Sequence, residues 1–198
     1  MDETGMEAAV EPIALFRLWL KDAEGSELND PNAVALATAT RDGMPSVRMV
    51  LMKRLDAEGF CFYTNAESEK GSELGENPRA SMCFHWKSLR RQVRVSGTVA
   101  ELSGDDADEY FHSRSRLSQL AAAASRQSRV VASREVLLGR VKELEREFPG
   151  QIPRPEYWRG YVLRPEKIEF WKDGEGRLHD RFLFTRTGET WSKERLFP

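Results

Sequence analysis

The chain has 198 residues, and 30 basic against 32 acidic side chains leave a formal net charge of -2. That balance lacks the basic excess of a general nucleic-acid binder, and no run of about 20 apolar residues offers a membrane span. A length below roughly 250 residues suits one domain, with a hydrophobic share of 40% to fill its core.

Residues 1–10 are small, acidic and unpatterned, which predicts a mobile tail before a single domain over 11–198. The start Met1-Asp2-Glu3 has neither the basic nor the apolar region of a secretory signal, so a cytoplasmic protein is expected. From Pro12 onward Ile13, Phe16 and Leu20 recur at helical spacing, with Leu15 and Trp19 beside them. This predicts an amphipathic helix whose aromatic stripe packs into the core. Asn29-Asp30-Pro31 breaks the chain before a predicted strand, Ala33 to Thr40.

Val47 to Leu55 and Phe60 to Tyr63 are rich in β-formers and are joined by Asp56-Ala57-Glu58-Gly59, which reads as a β-hairpin. Arg48, Lys53 and Arg54 sit among its apolar residues, and Tyr63, Thr64 and Asn65 close its second strand. A cation on a half-buried strand needs a partner. A protein carboxylate would serve, but the hydroxyl and amide groups at the strand end favour an anionic ligand. Arg48 and Lys53 are an odd number of residues apart, so a regular strand would turn them to opposite faces. A bulge, or Lys53 at the strand's end, would reconcile them.

A short helix, Glu67 to Glu76, carries Lys70. Arg79 to Trp86 and Arg90 to Leu102 read as an antiparallel pair bent at Lys87-Ser88. The basic residues Lys87, Arg90, Arg91 and Arg94 point to both faces of that pair, which argues against a nucleic-acid surface. Helices follow over Asp105 to Arg114, through Gln119 to Ser125, and over Arg134 to Phe148, the last expected to cover the sheet. Tyr110, Arg114 and Ser118 are spaced four apart, so one helical face would present a phenol, a guanidinium and a hydroxyl. Those groups suit a phosphate monoester; a solvated polar face is the alternative.

After Pro149 to Pro155, strands are predicted at Gly160 to Leu163, Lys167 to Trp171, Leu178 to Arg186 and Thr190 to Leu196. Arg177 and His179 open one of these and share a face by alternation. Cys61 and Cys83 lack a C-x-x-C spacing and read as buried thiols in a reducing compartment. His85, His112 and His179 form no metal-binding set, and no metal is expected. Strand pairs interrupted by helices predict an α+β domain around an antiparallel barrel.

Five strings follow one another in order: R-M-V-L-M-K with F-Y-T-N (Arg48 to Asn65), F-H-W-K-S-L-R-R-Q-V-R-V (Phe84 to Val95), Y-F-H-S-R-S-R-L-S-Q (Tyr110 to Gln119), I-E-F-W (Ile168 to Trp171) and R-L-H-D-R (Arg177 to Arg181). Together they resemble pyridoxamine 5′-phosphate oxidase over nearly the whole chain from Asn29. The resemblance implies an FMN-binding split β-barrel with surrounding helices, acting as a homodimer with FMN at the subunit interface.

By that resemblance, Arg48, Met49, Val50, Leu51, Met52, Lys53, Tyr63, Thr64, Lys70 and Gln92 would contact FMN, and Gln127, Ser128, Trp171 and Arg181 would come from the second subunit. Lys53, Tyr110, Arg114 and Ser118 would bind the substrate phosphate, while Arg177 and His179 would hold the pyridine ring. The implied reaction is O2-dependent oxidation of pyridoxamine and pyridoxine 5′-phosphates to pyridoxal 5′-phosphate with release of H2O2. A related oxidase of another ring, as in phenazine biosynthesis, is the alternative. Two residues depart from the family pattern. Glu69 stands before Lys70 where a basic residue is common, and it is expected to face solvent or pair with an arginine. Ala121 to Ala124 lacks a tryptophan near Ala123, so looser packing is expected beside the site.

Overall fold

The computed structural model describes residues 5–198. Nine strands, β1 (Ala33–Ala39), β2 (Pro45–Leu51), β3 (Arg54–Leu55), β4 (Phe60–Asn65), β5 (Arg79–Trp86), β6 (Arg91–Glu101), β7 (Trp158–Lys172), β8 (Asp180–Thr187) and β9 (Thr190–Arg195), form one sheet. Its order is β2-β1-β5-β6-β7-β4-β3, with β8 on β7 and β9 on β8, and every pairing is antiparallel. Although β2 and β4 stand near opposite ends of that order, they touch, so the sheet curls on itself. The α+β class and antiparallel barrel expected from the sequence are what the chain adopts.

Alternation explains the core. Met82, Phe84 and Trp86 of β5 and Val93 and Val95 of β6 point inward, where they meet Phe60, Phe62, Ile168, Phe170 and Phe184. Helix α1 (Pro12–Glu24) covers this core with Leu15, Phe16 and Trp19. Phe16 lies edge-on 4.9 Å from both Phe60 and Phe84, and Trp19 lies 5.1 Å from Phe170. A second core, built on Phe111, Leu120, Leu144, Ile152 and Trp158, joins β7 to helices α3 (Gly104–Ser113), α4 (Arg116–Ala124) and α5 (Arg134–Glu147). Helix α5 therefore packs chiefly on α4 rather than covering the sheet, and Val136 is left 56% exposed.

Several local expectations change once long-range partners are in place. Residues 1–4 of the expected tail lie outside the described residues, but its remainder is anchored. Met6 is 2% exposed, Lys193 Nζ donates to the carbonyls of Met6, Glu7 and Ala9, and Arg195 pairs with Glu7 at 2.8 Å. Those partners belong to β9, at the other end of the chain. The expected hairpin is also divided: β2 pairs with β1, and only β3 pairs with β4. Between β2 and β3, Met52 turns into the core, 4% exposed, with its N–H on Asn32 O at 3.0 Å. The two strands expected at 160–163 and 167–171 are one, β7, which continues through Pro165.

The three arginines of the basic stretch are paired within the chain. Arg91 pairs with Asp22 at 2.7 Å and lies over Trp19, Arg94 pairs with Glu169 at 3.1 Å, and Arg90 pairs with Asp173. Cys61 is buried and Cys83 half-buried, both free thiols within strands, and burial raises the Cys61 pKa to about 11. Among the described residues no helix is long and apolar enough to cross a membrane.

Candidate active site

Where β2 meets β4, the seam of the sheet opens into a groove of about 640 Å³. Strand β2 contributes Arg48, Met49, Val50 and Leu51, β4 contributes Tyr63, Thr64 and Asn65, and Trp158 comes from β7. Helix α2 (Glu69–Glu76) supplies Glu69 and Lys70, α3 supplies Tyr110, and Arg114 follows it. Ala121 and Ala122 of α4, then Ser125, Gln127 and Ser128, close the far wall. Two smaller hollows of about 510 and 430 Å³ contain none of the residues expected to bind.

Lys53 also lines the groove, and the break at Met52 removes the parity problem with Arg48. The chain leaves β2 at Leu51 and enters β3 at Arg54, so Lys53 belongs to no regular strand. Met52 itself faces the core and is absent from the groove wall, in contrast to its expected cofactor contact.

One end of the groove is built for negative charge. Lys70 is 6% exposed, held at 2.8 Å from Gln127 Oε1 and 3.3 Å from Ser68 Oγ, and among the described residues it has no ion-pair partner. Burial first, and then the Arg48 charge, push its pKa below the ordinary lysine range. Thr64 Oγ1 donates to the same Gln127 oxygen at 3.2 Å. Arg48 lies 3.4 Å from Glu73 Oε2 and 3.5 Å from Glu69 Oε2. Glu69 is thus paired with an arginine, as expected, while its side chain remains 64% exposed.

The other end is aromatic. Tyr63 stacks on Tyr110 at 4.1 Å and on Trp158 at 5.4 Å, and Arg114 lies 5.2 Å over the Trp158 ring. Arg114 Nη1 is buried and has no hydrogen-bond acceptor among the described residues, and burial lowers the guanidinium's pKa. A charged donor without an acceptor is costly unless a ligand supplies one.

Ser118 does not join this pair. The shared helical face expected of Tyr110, Arg114 and Ser118 does not form, because the chain leaves the helix where Arg114 is extended (ψ 156°) and Ser115 caps α4 by accepting from the Ser118 N–H. Ser118 Oγ then lies 2.8 Å from Ser115 Oγ, away from the groove wall. The four-residue spacing fails because capping interrupts the helix on which it relied.

The remaining expected residues form a second cluster on the outward sheet face. Gln92, Trp171 and Arg181 stand in one cross-strand row of β6, β7 and β8. Arg181 pairs with Glu169 at 2.8 Å. Arg177 and His179 are not on a strand, contrary to the alternation argument. Arg177 ends a short 3-10 turn with φ 63°, and β8 begins only at Asp180. Gly174 permits this turn, because a Cβ there would fall 2.0 Å from Leu178 O. The His179 ring lies 4.7 Å from that of Trp171, tilted by 46°, and its Nδ1 accepts from the Gly174 N–H at 3.1 Å.

Comparison with known proteins bears on both clusters. The family model described as pyridoxamine 5′-phosphate oxidase matches residues 20–147. That of the pyridoxine 5′-phosphate oxidase C-terminal dimerisation region matches residues 158–198. A pyridoxine/pyridoxamine 5′-phosphate oxidase of Sinorhizobium fredii is 56% identical over 193 residues, covering 96% of this chain and 94% of that protein. The enzyme of the same name from Gluconobacter oxydans is 54% identical over 189 residues, covering 95% and 94%. The chain belongs to the pyridoxamine 5′-phosphate oxidase family.

Among solved structures, PhzG from Burkholderia lata, in complex with tetrahydrophenazine-1-carboxylic acid, is similar at a TM-score of 0.93 and 34% identity, covering 100% of this chain and 98% of that one. A pyridoxamine 5′-phosphate oxidase-related, FMN binding protein from Nostoc punctiforme shares the fold at a TM-score of 0.77 and 18% identity, covering 96% and 100%.

Within this oxidase-family fold the division of residues differs from the expected one. Gln127 and Ser128 line the groove of their own chain beside Thr64 and Lys70, rather than reaching it from a second subunit. Gln92 instead shares the row of Trp171 and Arg181. Sequence reading overlooked Trp158, whose place opposite Asn65 follows from the β4–β7 register and has no local signal. It also overlooked Thr38, Ser46 and Glu73, which stand behind Arg48.

Proposed function

We propose that the chain acts as a homodimeric, FMN-dependent oxidase converting pyridoxamine and pyridoxine 5′-phosphates to pyridoxal 5′-phosphate, with O2 as acceptor and H2O2 as co-product. The observation that carries this reading is that one groove contains two separate demands for an anion. Among the described residues Lys70 is a buried cation with no carboxylate paired to it, and Arg114 Nη1 is a buried donor without an acceptor. A phosphorylated cofactor and a phosphorylated substrate meet one demand each.

The residues present fit FMN. Arg48, Lys70 and Thr64 hold its phosphate, and Gln127 and Ser128 flank that end. Met49, Val50, Leu51, Lys53 and Tyr63 line the length of the groove, which is large enough for the ring system. Bound there, FMN supplies the two-electron acceptor that the side chains lack. Arg114 and Tyr110 take the substrate phosphate, with Lys53 exposed nearby. The outward cluster of Gln92, Trp171, Arg181, Arg177 and His179 serves the groove of a second copy. Arg177 and His179 there orient the pyridine ring. The protein's contribution is orientation and charge placement.

A peroxide assay with both phosphorylated vitamers and their non-phosphorylated forms tests this directly. Peroxide and pyridoxal 5′-phosphate from the phosphorylated forms, by yellow protein that releases FMN on denaturation, are expected. Protein that takes up no FMN, or that oxidises a reduced phenazine carboxylate and neither phosphate, overturns the reading. The likeness to PhzG makes that second substrate class the relevant comparison. The unpaired Arg114 donor calls for an anion, which a phosphate or a carboxylate supplies, and the assay separates the two.

A further inference from the structure

Glu73 is a buried carboxylate next to the cationic end of the groove, and its bonding has a direction. The side chain is 7% exposed and receives hydrogen bonds from Thr38 Oγ1 and from Ser46 Oγ at 2.7 Å. A hydroxyl has one proton to donate, and both hydroxyls spend it on the carboxylate. Their lone pairs then accept from Arg48, Nη1 to Thr38 Oγ1 and Nη2 to Ser46 Oγ at 2.6 Å. Each hydroxyl thus bridges an anion to a cation, and the two bridges fix both terminal nitrogens of one planar guanidinium.

From this we infer that Glu73 is a positioning residue for the cofactor phosphate, acting through Thr38 and Ser46 and through its own 3.4 Å contact with Nη2 to hold the Arg48 guanidinium in the orientation that faces the groove. The inference rests on the proposal that Arg48 binds the FMN phosphate. Placement supports it. Glu73 stands one turn beyond Lys70 on α2, so one short helix contributes a cation to the groove and fixes the cation on the facing strand. Burial alone would raise the carboxyl's pKa, but the hydrogen bonds from Thr38 and Ser46, with the Arg48 charge, hold it below the ordinary range. Glu73 therefore stays ionised near neutrality.

A contrary expectation makes the inference testable. By charge alone, a carboxylate near a bound phosphate weakens binding, so removing Glu73 should tighten it. If Glu73 positions Arg48, its removal weakens binding, and only for a ligand that has a phosphate. Apoprotein of each variant is titrated with FMN and with riboflavin, which lacks the phosphate, at fixed ionic strength. Glu73→Ala is expected to lower the preference for FMN over riboflavin by about 10-fold, with riboflavin affinity within about 2-fold of the parent. Ser46→Ala, which removes one bridge, is expected to lower the preference by about 3-fold. In an Arg48→Ala background, Glu73→Ala is expected to cause no further loss of that preference.

A preference unchanged or increased by Glu73→Ala, while Arg48→Ala abolishes it, overturns the positioning role and leaves the phosphate assignment standing. A preference unaffected by Arg48→Ala overturns the phosphate assignment itself. Should Glu73→Ala lose riboflavin binding as well, Ser46→Ala decides, and an unchanged preference in that variant overturns the inference.

Discussion

Lys70 and Arg114 show how a single side chain's surroundings set its task. Lys70 is buried, and among the described residues its partners are an amide and a hydroxyl, so its charge is most favourable when an anion is present. Replacing it with alanine removes a charge-assisted contact, and FMN affinity is expected to fall by about 10- to 100-fold in equilibrium titration. The pH dependence has a definite sign. Because burial and Arg48 lower its pKa, Lys70 loses its proton, and the groove its charge, at a lower pH than an ordinary lysine would. FMN affinity of the parent protein should therefore begin to fall on the acid side of the ordinary lysine range. Lys70→Arg, which stays charged, should show a flatter alkaline limb. On the proposed reading Arg114 binds the substrate phosphate, remote from the reacting carbon, so Arg114→Ala should raise KM for the phosphorylated vitamers by about 10- to 100-fold, with a smaller change in kcat. Steady-state kinetics on phosphorylated and non-phosphorylated substrates separate the two effects.

At the level of elements, β4 and β7 transmit packing into the groove. Gly160 of β7 stands opposite Tyr63 of β4, and a Cβ there would lie 2.8 Å from the Tyr63 ring. The ring already stacks on Tyr110 and Trp158, so it has little room to yield. Gly160→Ala is therefore expected to destabilise the protein by about 1–3 kcal/mol in denaturant unfolding and to displace Tyr63, weakening flavin binding. Unchanged stability and affinity would mean that the aromatic stack is looser than its distances indicate. The break between α3 and α4 belongs to this scale as well. Ser115 caps α4, and the Arg114 backbone is released to present its side chain beside Trp158.

For the whole molecule, the two clusters of expected site residues lie on different surfaces of one chain, which is the arrangement a symmetric dimer turns into two composite sites. Lys70→Ala and Arg181→Ala should each bind flavin poorly alone. When the two variants are mixed and allowed to exchange subunits, half of the dimers are mixed, and each of these holds one intact site. About a quarter of the wild-type flavin sites should return. No recovery after demonstrated exchange would place both residues in the same subunit's site.

What the sequence determined by itself was whatever depends on near neighbours and on the order of motifs. Two runs bent at Lys87-Ser88 gave the pair β5 and β6, helical spacing and Pro12 defined α1, and the strings from Arg48 to Arg181 carried the family. Arg48, Lys53, Tyr63, Thr64, Lys70, Tyr110 and Arg114 were legible as candidate site residues, and they line one groove. Tertiary structure alone decided that β2 pairs with β1, that Met52 turns inward, that Gln127 meets Lys70, and that the 5–10 segment is held by β9. It also decided that Glu73 stands behind Arg48. These arrangements join residues that are distant in sequence, and their energies come from burial and hydrogen bonds made only after the sheet has curled. Local periodicity records which face of an element is apolar, but not which distant element will cover it.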